Sequence, residues 1–153
     1  MQIVNMKDRP NACRLLAQWH YEEWKELYPT DTEETFYRDL QKSLGADDIP
    51  STWLMVDGET ILGSCSIIED DMESRQDLTP WLANVFVHPD YRGQGLGSKL
   101  VNAVMQKARD IGLQRFYLFT EDQTALYQKL GWTVHEEMLN NGIPVTIMRV
   151  DFA

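Results

Sequence analysis

With 153 residues, 43% hydrophobic and 25% charged, the chain has the length to bury a core as a single domain over 1–153 and a composition that excludes disorder. No run approaches the roughly 18 apolar residues of a membrane span, and the N-terminal stretch lacks the apolar centre of a signal peptide, so a cytoplasmic protein without a membrane partner is expected. The net charge of -10 disfavours nucleic acid and favours a cationic partner.

Gln2 to Met6 reads as a short first strand. From Asn11, the residues Leu15, Leu16, Trp19, Trp24 and Leu27 recur at helical spacing until Pro29 stops the run. Thr30-Asp31-Thr32-Glu33-Glu34 offers overlapping capping boxes for a second helix, whose apolar face carries Phe36, Tyr37, Leu40 and Leu44. Ser51 to Val56 and Thr60 to Ile68 form a predicted hairpin around Asp57-Gly58. A polar stretch, Glu69 to Thr79, leads into a strand from Trp81 to Val87. A glycine-bearing loop follows, and Leu100, Val101, Val104, Ala108 and Ile111 predict a helix ending at Gly112. Gln114 to Phe119 is a further strand. Thr120 and Gln123 make a capping box for a helix running to about Leu130, and Trp132–Leu139 with Pro144–Val150 closes the chain as a hairpin. The order β-α-α-β-β-β-α-β-α-β-β implies an α/β (α+β) fold with a mixed central sheet. Cys13 and Cys65 fall in separate elements without metal-type spacing and read as buried small hydrophobes; no metal is expected.

The stretch Val85 to Ser98 joins a strand to a helix N-terminus through Gly93, Gly95 and Gly97. Such a junction presents unpaired N–H groups at the positive end of a helix dipole, a receptor for an anion. Residues 92–115 hold Arg92, Lys99, Lys107, Arg109 and Arg115 against Asp110 alone, the one basic island in an acidic chain. A dinucleotide fingerprint fails here, because the glycine spacing is wrong and no acidic residue follows about 20 positions on. A nucleoside-triphosphate loop fails for want of Gly-Lys-Ser/Thr.

Arg92-Gly93-Gln94-Gly95-Leu96-Gly97 resembles the signature (Arg or Gln)-x-x-Gly-x-(Gly or Ala) of the GNAT superfamily of acyl-CoA-dependent N-acyltransferases. The element order is also that family's, and a second family block is found in Ala125-Leu126-Tyr127-Gln128-Lys129-Leu130-Gly131-Trp132. The resemblance implies acetyl-CoA as co-substrate, lying in a cleft where the strand before the loop splays from the strand after the helix. It implies that Arg92, Gly93, Gln94, Gly95, Leu96, Gly97 and Ser98 cradle the pyrophosphate, that Val85, Phe86 and Val87 pair with the pantetheine arm, and that Thr120 lies beside the cofactor. Lys99, Lys107 and Arg109 are the candidates for the remaining phosphate. The resemblance also implies a homodimer, packed through the final hairpin.

Acetyl transfer from a thioester to an amine poses two proton problems. An amine with a pKa of about 10.4 is neutral in only about one molecule in a thousand at pH 7.4, a handicap of roughly 4 kcal/mol. The departing sulfur also needs a proton or a hydrogen bond. The resemblance assigns Tyr127 as the acid beside the sulfur. Many relatives carry a glutamate base where this chain has Asn84, and asparagine takes no proton at neutral pH. Glu69 and Asp70 are the nearest candidates for drawing a cationic amine to the cleft, with Glu22 and Glu23 on the first helix as further ones. His20, His88 and His135 have suitable intrinsic pKa values but no partner visible in the sequence. The resemblance makes the first helix, with Glu23, one wall of the acceptor site and brings Trp81 to its opening. The expected function is direct acetylation of the primary amine of a small cationic molecule, without metal. The alternatives are an acyl-CoA sensor without turnover, which Asn84 favours, and an acyltransferase for protein termini or hydroxyls.

Overall fold

The computed structural model describes residues 1–152. Its strands are β1 (Gln2–Asn5), β2 (Ser51–Asp57), β3 (Thr60–Ile68), β4 (Trp81–Val87), β5 (Arg115–Thr120), β6 (Thr133–Asn140) and β7 (Ile143–Asp151). They form one sheet in the order β1-β2-β3-β4-β5-β7-β6, antiparallel everywhere but at the β4–β5 junction. The helices are α1 (Ala12–Trp24), α2 (Glu33–Gln41), α3 (Leu96–Asp110) and α4 (Thr124–Lys129). The mixed α/β order expected from the sequence is the order observed.

Alternation along the central strands sorts two helical layers. Leu54 and Val56 pack with Leu16 and Ala17 of α1 and Leu40 of α2. Met55, Cys65 and Ile67 point the other way and pack with Leu100, Val101 and Val104 of α3. Each buried leucine, valine or isoleucine among them contributes about 1.5–3 kcal/mol. Both cysteines are free and buried, as expected.

The helix ends differ in detail from the sequence reading. α1 stops at Trp24 rather than Leu27, and the cap of α2 is Thr32, whose partner is Thr35 rather than a glutamate. α4 begins at Thr124, later than the Thr120–Gln123 pattern predicts. The Thr120 hydroxyl still accepts the Gln123 N–H at 3.0 Å, but that bond closes a turn ahead of the helix instead of capping it.

Two features of β4 position the site. Its pairing with β5 is confined to the register Trp81↔Tyr117, with the Tyr117 N–H donating to the Pro80 carbonyl at 3.0 Å. Beyond that point the strands part, and the other edge of β5 is taken by β7 from Arg115 to Thr120. On its other side β4 bulges against β3: Ser64 faces Phe86 and Ser66 faces Ala83, so Cys65 meets both Asn84 and Val85. Asn84 takes the extra residue in a left-handed conformation, φ 54°, which asparagine tolerates better than most side chains. A Cβ on Gly63 would collide with the Phe86 carbonyl oxygen, so glycine is what lets β3 approach the bulged strand this closely.

Candidate active site

The loop after β4 turns twice through the left-handed region, at Gly93 (φ 81°) and Gly95 (φ 75°), a conformation that only glycine adopts without strain. Nothing lies within 4 Å of where a Cβ would stand at either position. The space above the loop is open to a ligand. Gly95 begins α3 without a side-chain cap, which leaves the first-turn amides to an outside acceptor. Gln94 is exposed, Gly97 and Ser98 are half-buried, and Leu96 anchors the loop in the α3 core. These observations fit a pyrophosphate. Of the basic island, Arg115 pairs with Asp151 at 2.6 Å, and Lys107 and Arg109 lie over the rings of Trp53 and Phe152. Lys99, exposed in the first turn of α3, has no ion pair among the described residues.

Arg92 turns away from the open face of the loop. Its Nε donates to the Val87 carbonyl at 2.7 Å, and its guanidinium pairs with Glu23 of α1 at 3.3 Å. The arginine of the signature thus ties the loop to the end of β4 and to the first helix. Phe86 takes its place in the same clamp, with Trp19, His20 and Trp24 of α1 around its ring.

Tyr127 stands on α4, buried and edge-on to Trp132, with centroids 6.3 Å apart. Burial, reinforced by the nearby Cys65 thiol, pushes its hydroxyl well above the usual tyrosine range. It therefore stays protonated at every working pH and can donate to a developing thiolate.

Asn84 is the centre of a buried polar chain. The Ser64 hydroxyl donates to the Asn84 carbonyl at 3.0 Å. That uses its one proton, so the Nε2–H of His20 must be the donor in the 2.9 Å contact with Ser64. On the other side the Asn84 amide donates to Ser66 at 3.2 Å, and Ser66, Thr52 and Ser43 continue the chain at 2.8 and 2.9 Å. Full burial pushes His20 down to about 3, so the ring is neutral. Its Nδ1 has no partner.

A cleft of about 1040 Å³ opens beside this chain, with His20, Ser43, Thr52 and Asn84 in its wall. Seven carboxylates line it: Asp31, Asp39 and Asp47 on the α1–α2 side, and Glu69, Asp70, Asp71 and Glu73 on the loop after β3. Lys42 is the one basic residue in the wall, and it pairs with Asp39 at 3.2 Å. Burial alone pushes the Asp71 carboxyl up to about 7. Asn140, whose side-chain nitrogen is buried without a partner, belongs to the same wall.

The structure brings together Glu69, Asp70 and Asn84 of the expected acceptor residues. It corrects two others. Glu23 does not line the cleft, because Arg92 holds it on the cofactor-loop side. Trp81 is fully buried among Met72, Leu78 and Tyr117, its indole N–H donating to the Leu78 carbonyl at 2.7 Å, and it does not reach the opening. Glu22 pairs with Lys25 at 3.1 Å, and His88 accepts the Asp90 N–H at 3.2 Å; neither lines the cleft. Tyr28, Asp71 and Asn140 are members of the wall that sequence reasoning misses. The run Glu69-Asp70-Asp71 is plain in the sequence, but nothing local distinguishes its third, enclosed member from its exposed neighbours.

A strand splayed from its parallel neighbour, a glycine cradle at a helix N-terminus and a buried tyrosine beside the bulge define a coenzyme A-dependent acyltransferase. Residues 14–132 match the Acetyltransferase (GNAT) family, and the chain belongs to it. It is similar to the aminoglycoside N(6')-acetyltransferase type 1 of Salmonella enteritidis, 27% identical over 123 residues that cover 76% of this chain and 85% of the relative. In structure it is similar to an aminoglycoside 6'-acetyltransferase type Ii, with a TM-score of 0.76 and 20% identity over 99% of this chain and 97% of the other. An aminoglycoside 6'-N-acetyltransferase solved with coenzyme A gives a TM-score of 0.75 at 17% identity, covering 99% and 97% of the two chains. Among the described residues no helix is long and apolar enough to cross a membrane.

Proposed function

We propose that this acetyltransferase moves the acetyl group of acetyl-CoA directly onto the primary amine of a small, polycationic acceptor. The observation that carries the reading is the cleft beside Asn84, with seven carboxylates against a single lysine that is already paired. A wall of that charge concentrates ammonium groups and disfavours anionic or neutral acceptors. Aminoglycosides, for which the relatives above are named, are molecules of this kind, and that supports an amino sugar as the acceptor.

In this reading the amides from Gly93 to Ser98 hold the pyrophosphate, and the edge of Val85 to Val87 that β5 leaves unpaired, where the Val87 carbonyl already accepts from Arg92, pairs with the pantetheine arm as an added strand would. Thr120, with its hydroxyl turned to the Gln123 amide, flanks the arm from β5. The amine nitrogen bonds to the thioester carbon, the carbon–sulfur bond breaks, one proton passes to the sulfur and one to solvent. Tyr127 supplies the hydrogen bond that stabilises the sulfur as charge develops. The Asn84 side chain is already committed to Ser66, so its part is to hold the bulge rather than to accept the proton.

Thiol release from acetyl-CoA across a panel of mono- and polyamines tests the proposal. Release with polyamines and amino sugars, and little with neutral or acidic amines, is the expected result. Stabilisation by coenzyme A without thiol release for any amine would favour a sensor without turnover, consistent with asparagine in place of a base at position 84. A ligand at 100 times its Kd adds about 2.7 kcal/mol of stability, so binding is scored independently of turnover.

A further inference from the structure

We infer that the end of the cleft where Asp71 and Asp31 flank Tyr28 is a separate cation subsite, holding an amino group of the acceptor other than the one acetylated. The inference deepens the amine-acetyltransferase reading and rests on it. Tyr28 follows α1 and is largely enclosed, and Asp71, Asp31 and Glu121 all lie close enough to oppose ionisation of its hydroxyl. These three come from different parts of the chain: the loop after β3, the α1–α2 connection and the turn after β5. None of them forms an ion pair among the described residues, and Lys42, the only cation in the cleft wall, is held by Asp39. Glu69, Asp70 and Glu73, on the same loop as Asp71, add negative charge and no compensation.

A second observation points to a ligand here. Asn140 is 6% exposed, its side-chain nitrogen has no partner, and it belongs to the cleft wall. A buried donor left unpaired costs stability that a bound hydroxyl or ether oxygen would recover. The neighbouring Asn141 donates to the Leu27 carbonyl at 3.1 Å, latching the β6–β7 turn to the segment that follows α1. This end of the cleft is therefore built from fixed parts. Seven carboxylates against one lysine that is already paired suit an organic cation, an ammonium or guanidinium of the acceptor.

The subsite is displaced from the reacting centre. Asp71 follows the end of β3 where Ile68 faces Trp81, whereas Asn84 lies three residues further along β4. An acceptor filling both ends carries at least two separated amino groups. Burial holds Asp71 largely protonated below about 7, so a cation seated beside it must expel that proton. Binding then strengthens as pH rises through 7.

Calorimetry compares octane-1,8-diamine with 8-amino-octan-1-ol, which has the same length and one charge. At pH 8 the diamine is expected to bind at least about tenfold more tightly. At pH 6 it should release a proton to buffer, and its advantage should shrink. Asp71→Asn should bring the two affinities together; Asp31→Asn, which reduces the same preference, serves should that variant fail to fold. Equal affinities in the wild type, or a preference that survives both substitutions, overturns the subsite. Thiol release is measured separately: amine turnover without the binding preference refutes the subsite alone, whereas the preference without turnover refutes the acetylation reading.

Discussion

Replacing Asp71 by Asn should make the protein more stable, by an amount set by pH. Burial pushes the carboxyl up to about 7, against about 3.9 in an unfolded chain. The folded state therefore binds this proton more tightly. The penalty for ionised Asp71 is absent below about pH 4, grows between 4 and 7 and is complete above 7. At 1.36 kcal/mol per pH unit the gap amounts to about 4 kcal/mol. Asp71 retains some surface, and solvent screening there brings the expected gain to about 2 kcal/mol. His20 acts in the opposite sense. Its folded value near 3 lies below its unfolded value near 6.5, so its contribution is whole above 6.5 and lost as pH falls towards 3. Between about pH 4 and 6.5 the two slopes oppose each other in the wild type, and Asp71→Asn leaves that of the histidine alone. Urea titrations from pH 4 to 8 should give a variant whose stability climbs with pH over that window more steeply than that of the wild type. A gain that is the same at pH 4 and pH 8, or no gain at pH 8, would refute the enclosure of Asp71.

Three further predictions concern the site itself. Tyr127→Phe should lower turnover more than tenfold while leaving the thermal shift given by coenzyme A intact; wild-type turnover would remove the hydroxyl from the mechanism. Asn84→Gly keeps the left-handed bulge and loses the bond to Ser66, whereas Asn84→Ala loses both, so the alanine variant should be less stable in urea by about 1–2 kcal/mol. Equal stabilities would mean that the bulge relaxes at no cost. Gly63→Ala drives a methyl group into the Phe86 carbonyl oxygen and should abolish coenzyme A binding before it unfolds the sheet, read as loss of the ligand-induced shift in a folded variant.

The order of strands and helices, the glycine loop and the donor are legible along the chain because their signals are local. Period-2 and period-3.6 patterns, Pro29 and Gly112 as stops, and three glycines after Arg92 each act within a few residues. The same locality explains the errors. Thr120 and Gln123 do bond as a capping box predicts, yet the helix starts after them, since a turn ahead of a helix uses the same bond. Glu23 reads as a free carboxylate on α1 until Arg92, 69 positions away, claims it.

The acceptor cleft is a product of long-range packing. Its wall joins His20, the Tyr28–Asp31 segment, the loop after β3, Asn84 and Asn140, which lie far apart in the sequence. Glu69, Asp70 and Asp71 form one unbroken acidic run, and only the way the loop folds against Tyr28 encloses the third while leaving the first two exposed. The donor can be read from consecutive residues, because a phosphate cradle is built from neighbouring amides. The acceptor waits on the fold, because desolvation of a carboxylate depends on everything packed around it.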